Sequence, residues 1–107
     1  MNERQFVECA RALAERAMRE TETEPKVRIA FMFKLATSRA PDAREAAELL
    51  TTYQDHLANY TKNVESAKKL IAVGESKPDP KLNPSELAAW MMIGNLILNL
   101  DEVMNKG

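Results

Sequence analysis

His56 is the single histidine of the chain, and with Asp55 beside it and Tyr53 and Tyr60 on the same helical face it is the one cluster from which a proton relay could be built. One imidazole excludes a zinc site made from a histidine pair, and the trio reads as a partly exposed helical histidine with aromatic neighbours. Cys9 is the single cysteine, so no internal disulfide can form. No histidine or second cysteine lies near it to stabilise a thiolate, and its place among apolar helix residues reads as a small buried hydrophobe. A phosphate-cradling glycine loop, a haem-attachment sequence and a serine in a nucleophile-elbow context are all missing from the chain.

Carboxylates are frequent, but a pair used for acid and base work needs burial to move its pKa. Glu45, Glu48 and Asp55 instead read as solvated charge near Arg44 and Lys62. Asp101 and Glu102 differ in following Leu98-Asn99-Leu100, where Asn99 and Asp101 interrupt an otherwise apolar run, and they read as helix-end polar groups bonding to nearby backbone or an arginine. No catalytic, cofactor-binding or metal-ligating residue is assigned, and no cofactor is expected in this domain. The candidate interaction or motif residues are Arg39, Trp90, Asn99, Asp101 and Glu102.

Helices must position these groups. From Glu3 to about Thr21, Phe6, Ala10, Leu13, Ala14, Ala17 and Met18 recur at three- and four-residue spacings, which predicts an amphipathic helix. Thr23 is placed to cap a second helix with Pro25 in its first turn, running to about Ser38. Its apolar residues cover most of the circumference, the pattern of a buried helix. Arg39-Ala40-Pro41 ends it, and Asp42-Ala43-Arg44-Glu45 has the form of a capping box that opens a third helix to about Lys62. A shorter fourth helix carries Ala67, Leu70, Ile71 and Val73 before Gly74 supplies a left-handed stop; the third and fourth could be one bent rod or two. Glu75 to Leu82, with Pro78 and Pro80, reads as an extended surface crossing.

Asn83-Pro84-Ser85-Glu86 then supplies a cap, a first-turn proline and an acidic third position, and starts a last helix that runs to about Met104. Leu87, Trp90, Met91, Ile93, Leu96, Ile97, Leu98 and Leu100 leave almost no polar direction around its axis. Interrupted by Asn95 and Asn99, it is too short and too polar to span a bilayer, which needs about 20 apolar residues. It therefore reads as the central helix of the bundle, as a docking surface for a partner or an absent segment, or as both.

The 107 residues are hydrophobic at 45% and charged at 29%, with three glycines and five prolines, the balance of an all-α domain. A chain of this length buries roughly 65% of its unfolded surface without needing a metal or a disulfide. The expected architecture is a single compact bundle of four to five helices over residues 1–107 with an apolar carboxy-terminal helix. The net charge of −1 provides no field for phosphate backbones or anionic lipid. A helix–turn–helix reading of residues 33–57 fails on charge, because Asp42, Glu45, Glu48 and Asp55 would face the phosphates with Arg44 as the one cation. Nucleic acid is not an expected partner. Residues 1–4 are polar and do not form a signal peptide.

Asn2 with Gln5-Phe6-Val7-Glu8 and Ala10-Arg11-Ala12-Leu13-Ala14-Glu15-Arg16, then Phe33-Lys34-Leu35-Ala36 leading to Arg39-Ala40-Pro41, resemble the carboxy-terminal part of the planctomycete domain of unknown function 1553. Val73-Gly74-Glu75-Ser76, Pro84-Ser85-Glu86-Leu87-Ala88-Ala89-Trp90 and Leu98-Asn99-Leu100-Asp101-Glu102 are similar to that family's closing motif. Val103 departs from it where an aromatic is common, as does the ending Asn105-Lys106-Gly107. The resemblance spans essentially the whole chain and is most specific over its last 25 residues. It implies that the domain closes a longer, exported or envelope-associated protein, and it transfers no catalytic residue. The function expected is a non-enzymatic module that packs against the rest of its parent or another protein, with self-association through the last helix open. The alternative is a fragment bordering the active-site cleft of a multidomain hydrolase or oxidoreductase, with Arg39, Asn99 or Asp101 at the cleft.

Overall fold

The chain forms five helices, α1 (Glu3–Glu20), α2 (Pro25–Thr37), α3 (Ala43–Lys62), α4 (Val64–Ile71) and α5 (Pro84–Lys106). The computed structural model describes residues 3–74 and 76–106, apart from the side chains of residues 3, 4 and 102–106. No strand occurs among the described residues, so the all-α expectation holds. The radius of gyration, 13.0 Å, is that of a folded domain of about this length.

α5 is the hub, and each of the other four helices packs on it. Its first turns bury Leu87, Ala88, Ala89, Trp90, Met91 and Ile93, each direction covered by a different neighbour. That coverage is why a helix apolar all round is stable here. Each large side chain among them contributes on the order of 1.5–3 kcal/mol through burial.

Small residues let α1 approach closely. Ala10, Ala14 and Ala17 are fully buried along one stripe, and Gly94 of α5 lies opposite, where an added Cβ would stand 3.1 Å from the Ala10 carbonyl oxygen. Cys9 lies on the other side of α1 and is exposed, which corrects the expectation of a buried hydrophobe. It precedes Ala10 by one residue and is therefore turned about 100° from the stripe that faces α5.

α2 departs from expectation in two respects. Its N-cap is Glu24, which makes no side-chain capping bond, so Thr23 does not cap it; Pro25 at the first helical position needs no partner for a missing N–H. Nor is α2 buried all round, because Arg28, Ile29, Met32 and Phe33 face inward while Val27 and Leu35 are 47% and 42% exposed. As an outer helix it covers α5 with one face. Ser38 then closes it in the left-handed conformation with φ 65°, its N–H donating to the Lys34 carbonyl.

The capping box at the start of α3 forms as predicted. Asp42 accepts from the Glu45 N–H at 2.7 Å while the Asp42 N–H donates to Glu45 Oε1 at 3.0 Å. α3 and α4 are two helices. Asn63, at φ −125° and ψ 65°, breaks them, its N–H ending one ladder on Asn59 and its carbonyl beginning the next with Ala67. α4 ends at Ile71 with Ala72 as its cap in the right-handed region, so Val73 lies outside the helix and Gly74 does not stop it. Gly74, two residues beyond the cap, takes φ 103°, and a Cβ there would collide with the Glu8 side chain. At the start of α5, Asn83 Oδ1 accepts the Glu86 N–H at 3.0 Å. The buried Ser85 hydroxyl donates to the Tyr60 carbonyl at 2.9 Å and so fixes the entry of α5 to the end of α3.

Candidate functional site

Beyond Ile93, α5 outruns some of its cover. Ile97 still points into the core, but Leu96 and Leu100 are 44% and 37% exposed. Between this stretch and the first half of α3 lies an open groove of about 330 Å³, with Phe33, Leu49, Leu96, Ile97 and Leu100 as its apolar lining and Glu45, Glu48 and Thr52 along the α3 side. The volume falls at the low end of small-ligand pockets, about 300–1,000 Å³, and the lining offers few polar groups to orient a ligand.

The turn between α2 and α3 builds the end of the groove at Phe33 and Glu45. Thr37 Oγ1 donates to the Phe33 carbonyl at 2.7 Å and accepts the Arg39 N–H at 3.3 Å, which turns the chain back on itself. The Arg39 guanidinium then lies 4.8 Å from the centroid of the Phe33 ring and makes two parallel hydrogen bonds to the Glu45 carboxylate, each 2.9 Å. This fork is the strong form of a charge-assisted pair. Its bonds, together with the Asp42 N–H, hold the Glu45 carboxyl down to about 2, and they raise Arg39 above its ordinary value. Glu48 is paired in turn with Arg44 at 3.1 Å. Both carboxylates of the groove are therefore paired with cations.

The sequence candidates separate in space. Arg39 borders the groove. Trp90 is fully buried deeper along the α3–α5 contact and stacks on Tyr53. Asn99 is exposed, and its amide donates to the Asn95 carbonyl at 2.9 Å, the local backbone bond expected of it. Asp101 is half-buried but does not line the groove. The side chain of Glu102 lies outside the described residues. No family model, characterised protein or solved structure matches the chain.

His56 is half-buried with its ring 6.3 Å from that of Tyr60, a partly exposed helical histidine as read from sequence. Tyr53 leaves that cluster for the core. Among the described residues no three of His, Cys, Asp and Glu are grouped to hold a metal ion, and no helix is long and apolar enough to cross a membrane. Leu96 and Leu100 were not singled out from sequence because an apolar helix does not show which of its directions its neighbours leave open. Arg11 was missed as well: although charged and central in α1, it is buried at 2% exposure.

Proposed function

We propose that this domain is a non-catalytic helical module that packs against the remainder of a larger parent protein through the groove between α3 and α5. The carrying observation is the exposure of Leu96 and Leu100 beside Phe33 and Leu49. Leu49, Leu96 and Leu100 converge on one place beside the buried Phe33, and a convergent apolar surface gains free energy when covered. The pairing of Arg39 with Glu45 supports the same reading, since it holds the Glu45 carboxyl down to about 2, away from the raised pKa of an acid catalyst. The motif resemblance supports a planctomycete, exported or envelope-associated parent whose carboxy-terminal end this domain forms.

The test is Leu96→Asp with Leu100→Asp in the full-length parent. Native helicity of the domain with faster proteolytic release from its parent is the expected result; an unchanged release rate would overturn the proposal. Dimers of the isolated chain that the same substitutions dissolve would also overturn it, by assigning the groove to a second copy. The alternative of a fragment lining a parent enzyme's cleft is tested by Asp101→Asn, which under the present proposal leaves the parent's activity unchanged.

A further inference from the structure

Glu8, Arg11, Glu15 and Arg19 are spaced three, four and four residues apart and so form one line along α1. All four hold the crossing between α4 and α5. The Arg11 guanidinium donates to the carbonyls of Ile71, Val73 and Ser76, each at 2.7 Å. Glu8 accepts the Ser76 N–H at 3.3 Å, Glu15 accepts the Asp79 N–H at 2.8 Å, and Arg19 lies 3.6 Å from the Asp79 carboxylate. The spacings match. Seven helical residues from Glu8 to Glu15 rise about 10.5 Å, and three extended residues from Ser76 to Asp79 span about 10 Å, so the crossing runs alongside α1 in the same direction.

The apolar anchorage of the segment is confined to its two ends, where Leu70 and Leu82 pack partly buried against the core. α4 buries Ala67 and Ile71, while Val73 is 41% exposed and Ser76 and Lys77 face solvent. Its two ends are fixed independently of α1. Asn63 breaks the helical ladder at one end, Asn83 caps α5 at the other, and the Ser85 bond to the Tyr60 carbonyl joins the flanking elements just outside both. Residues 64–74 and 76–82 therefore make an excursion that can leave the bundle without moving α3 or α5.

We infer that residues 64–74 and 76–82 form a lid that opens as one cooperative unit about Asn63, with Arg11 as its latch. Arg11 is suited to that role because its buried charge meets three carbonyls and, among the described residues, no carboxylate. One of those carbonyls, that of Ile71, belongs to the negative end of α4. Opening the lid uncovers the apolar cleft that Val7 and Ala10 of α1 form with Met91 and Met92 of α5, against which Leu70 now rests. A segment that can lift while the greater part of the core, carried by α1, α2, α3 and α5, stays packed opens below the global transition.

Native-state hydrogen exchange on the whole chain tests this. In Arg11→Met, the amides of residues 67–72, Ser76 and Asp79 exchange at least about tenfold faster than in the parent sequence, while those of Ile93 and Ile97 change by less than about threefold. Uniform acceleration through all five helices would overturn the lid, as would unchanged rates at Ser76 and Asp79. If Arg11→Met does not fold, Arg11→Lys, which keeps a cation with fewer donors, must show the same ordering; uniform loss of protection there overturns the inference.

Discussion

The rings of Tyr53 and Trp90 stack with their centroids 3.8 Å apart and their planes 18° from parallel, joining α3 to α5 at the centre of the core. Trp90 is fully buried, and among the described residues its indole N–H meets no acceptor in full hydrogen-bond geometry, although it lies close enough to the Tyr53 phenol to oppose the rise in that group's pKa. Burial, reinforced by the charge of Glu86, pushes the Tyr53 phenol above its ordinary range. The stack contributes through area and ring contact, while the donor without a well-formed bond opposes it.

Two substitutions at Trp90 separate these contributions. Trp90→Ala removes the ring and leaves a cavity, and should lower stability by about 3–5 kcal/mol. Trp90→Phe keeps a ring against Tyr53 and removes a buried donor without a well-formed bond, so its loss should be clearly smaller. Urea unfolding followed by circular dichroism measures both. Equal losses would show that the indole N–H is satisfied in solution.

Gly94 sets the distance between α1 and α5. A methyl group there would meet the Ala10 carbonyl oxygen at 3.1 Å, the Ala10 Cα at 3.4 Å and the Met32 methyl at 3.4 Å. Met32 can rotate away, but the backbone of α1 is fixed by the buried stripe of Ala10, Ala14 and Ala17. Alanine normally favours a helix over glycine by about 1 kcal/mol. Here overpacking, typically 1–3 kcal/mol, should win, and Gly94→Ala should lower the thermal midpoint; a raised midpoint would show that α1 can move away.

The Arg39–Glu45 pair makes stability depend on pH in a defined window. Glu45 has a pKa of about 2 in the folded chain against an ordinary 4.5, so the unfolded chain binds the proton first as pH falls. The contribution is fully present above about pH 4.5, and it is lost progressively as pH falls towards 2. A carboxyl titration followed by NMR should find Glu45 at that low value, and Arg39→Gln should move it back towards the ordinary range. Since Glu45 also receives the Asp42 N–H, the return should be incomplete.

What was legible in the sequence were features whose cause is local. The Asp42 box and the Asn83 cap each depend on a side chain within three residues of the boundary it sets. The break at Asn63 carries no proline or glycine, which is why one bent rod and two helices read alike. Cys9 and the exposed side of α2 were misread because apolar content shows that a helix buries something without showing which face meets the core. Arg11 was illegible for a different reason. Its three acceptors lie 60, 62 and 65 residues away, and by its local pattern a charged residue in an amphipathic helix belongs to the surface. For the groove, the excess of apolar residues on α5 was plain, but the direction left open depends on where α2 ends and α3 begins.

That last point gives a test in the isolated chain. Ile97 is 1% exposed, whereas its neighbours Leu96 and Leu100 are 44% and 37% exposed, so three aliphatic residues within five positions should behave differently. Ile97→Ala removes fully buried methylenes and should lower stability by about 2–5 kcal/mol. Leu96→Lys and Leu100→Lys can extend their charged ends into water from the rim of the groove, and each should change stability by no more than about 0.5 kcal/mol. Chemical denaturation of the three variants measures the contrast. A loss at Leu96 or Leu100 comparable to that at Ile97 would mean that the isolated chain already closes the groove in solution, and the surface offered for docking would not exist.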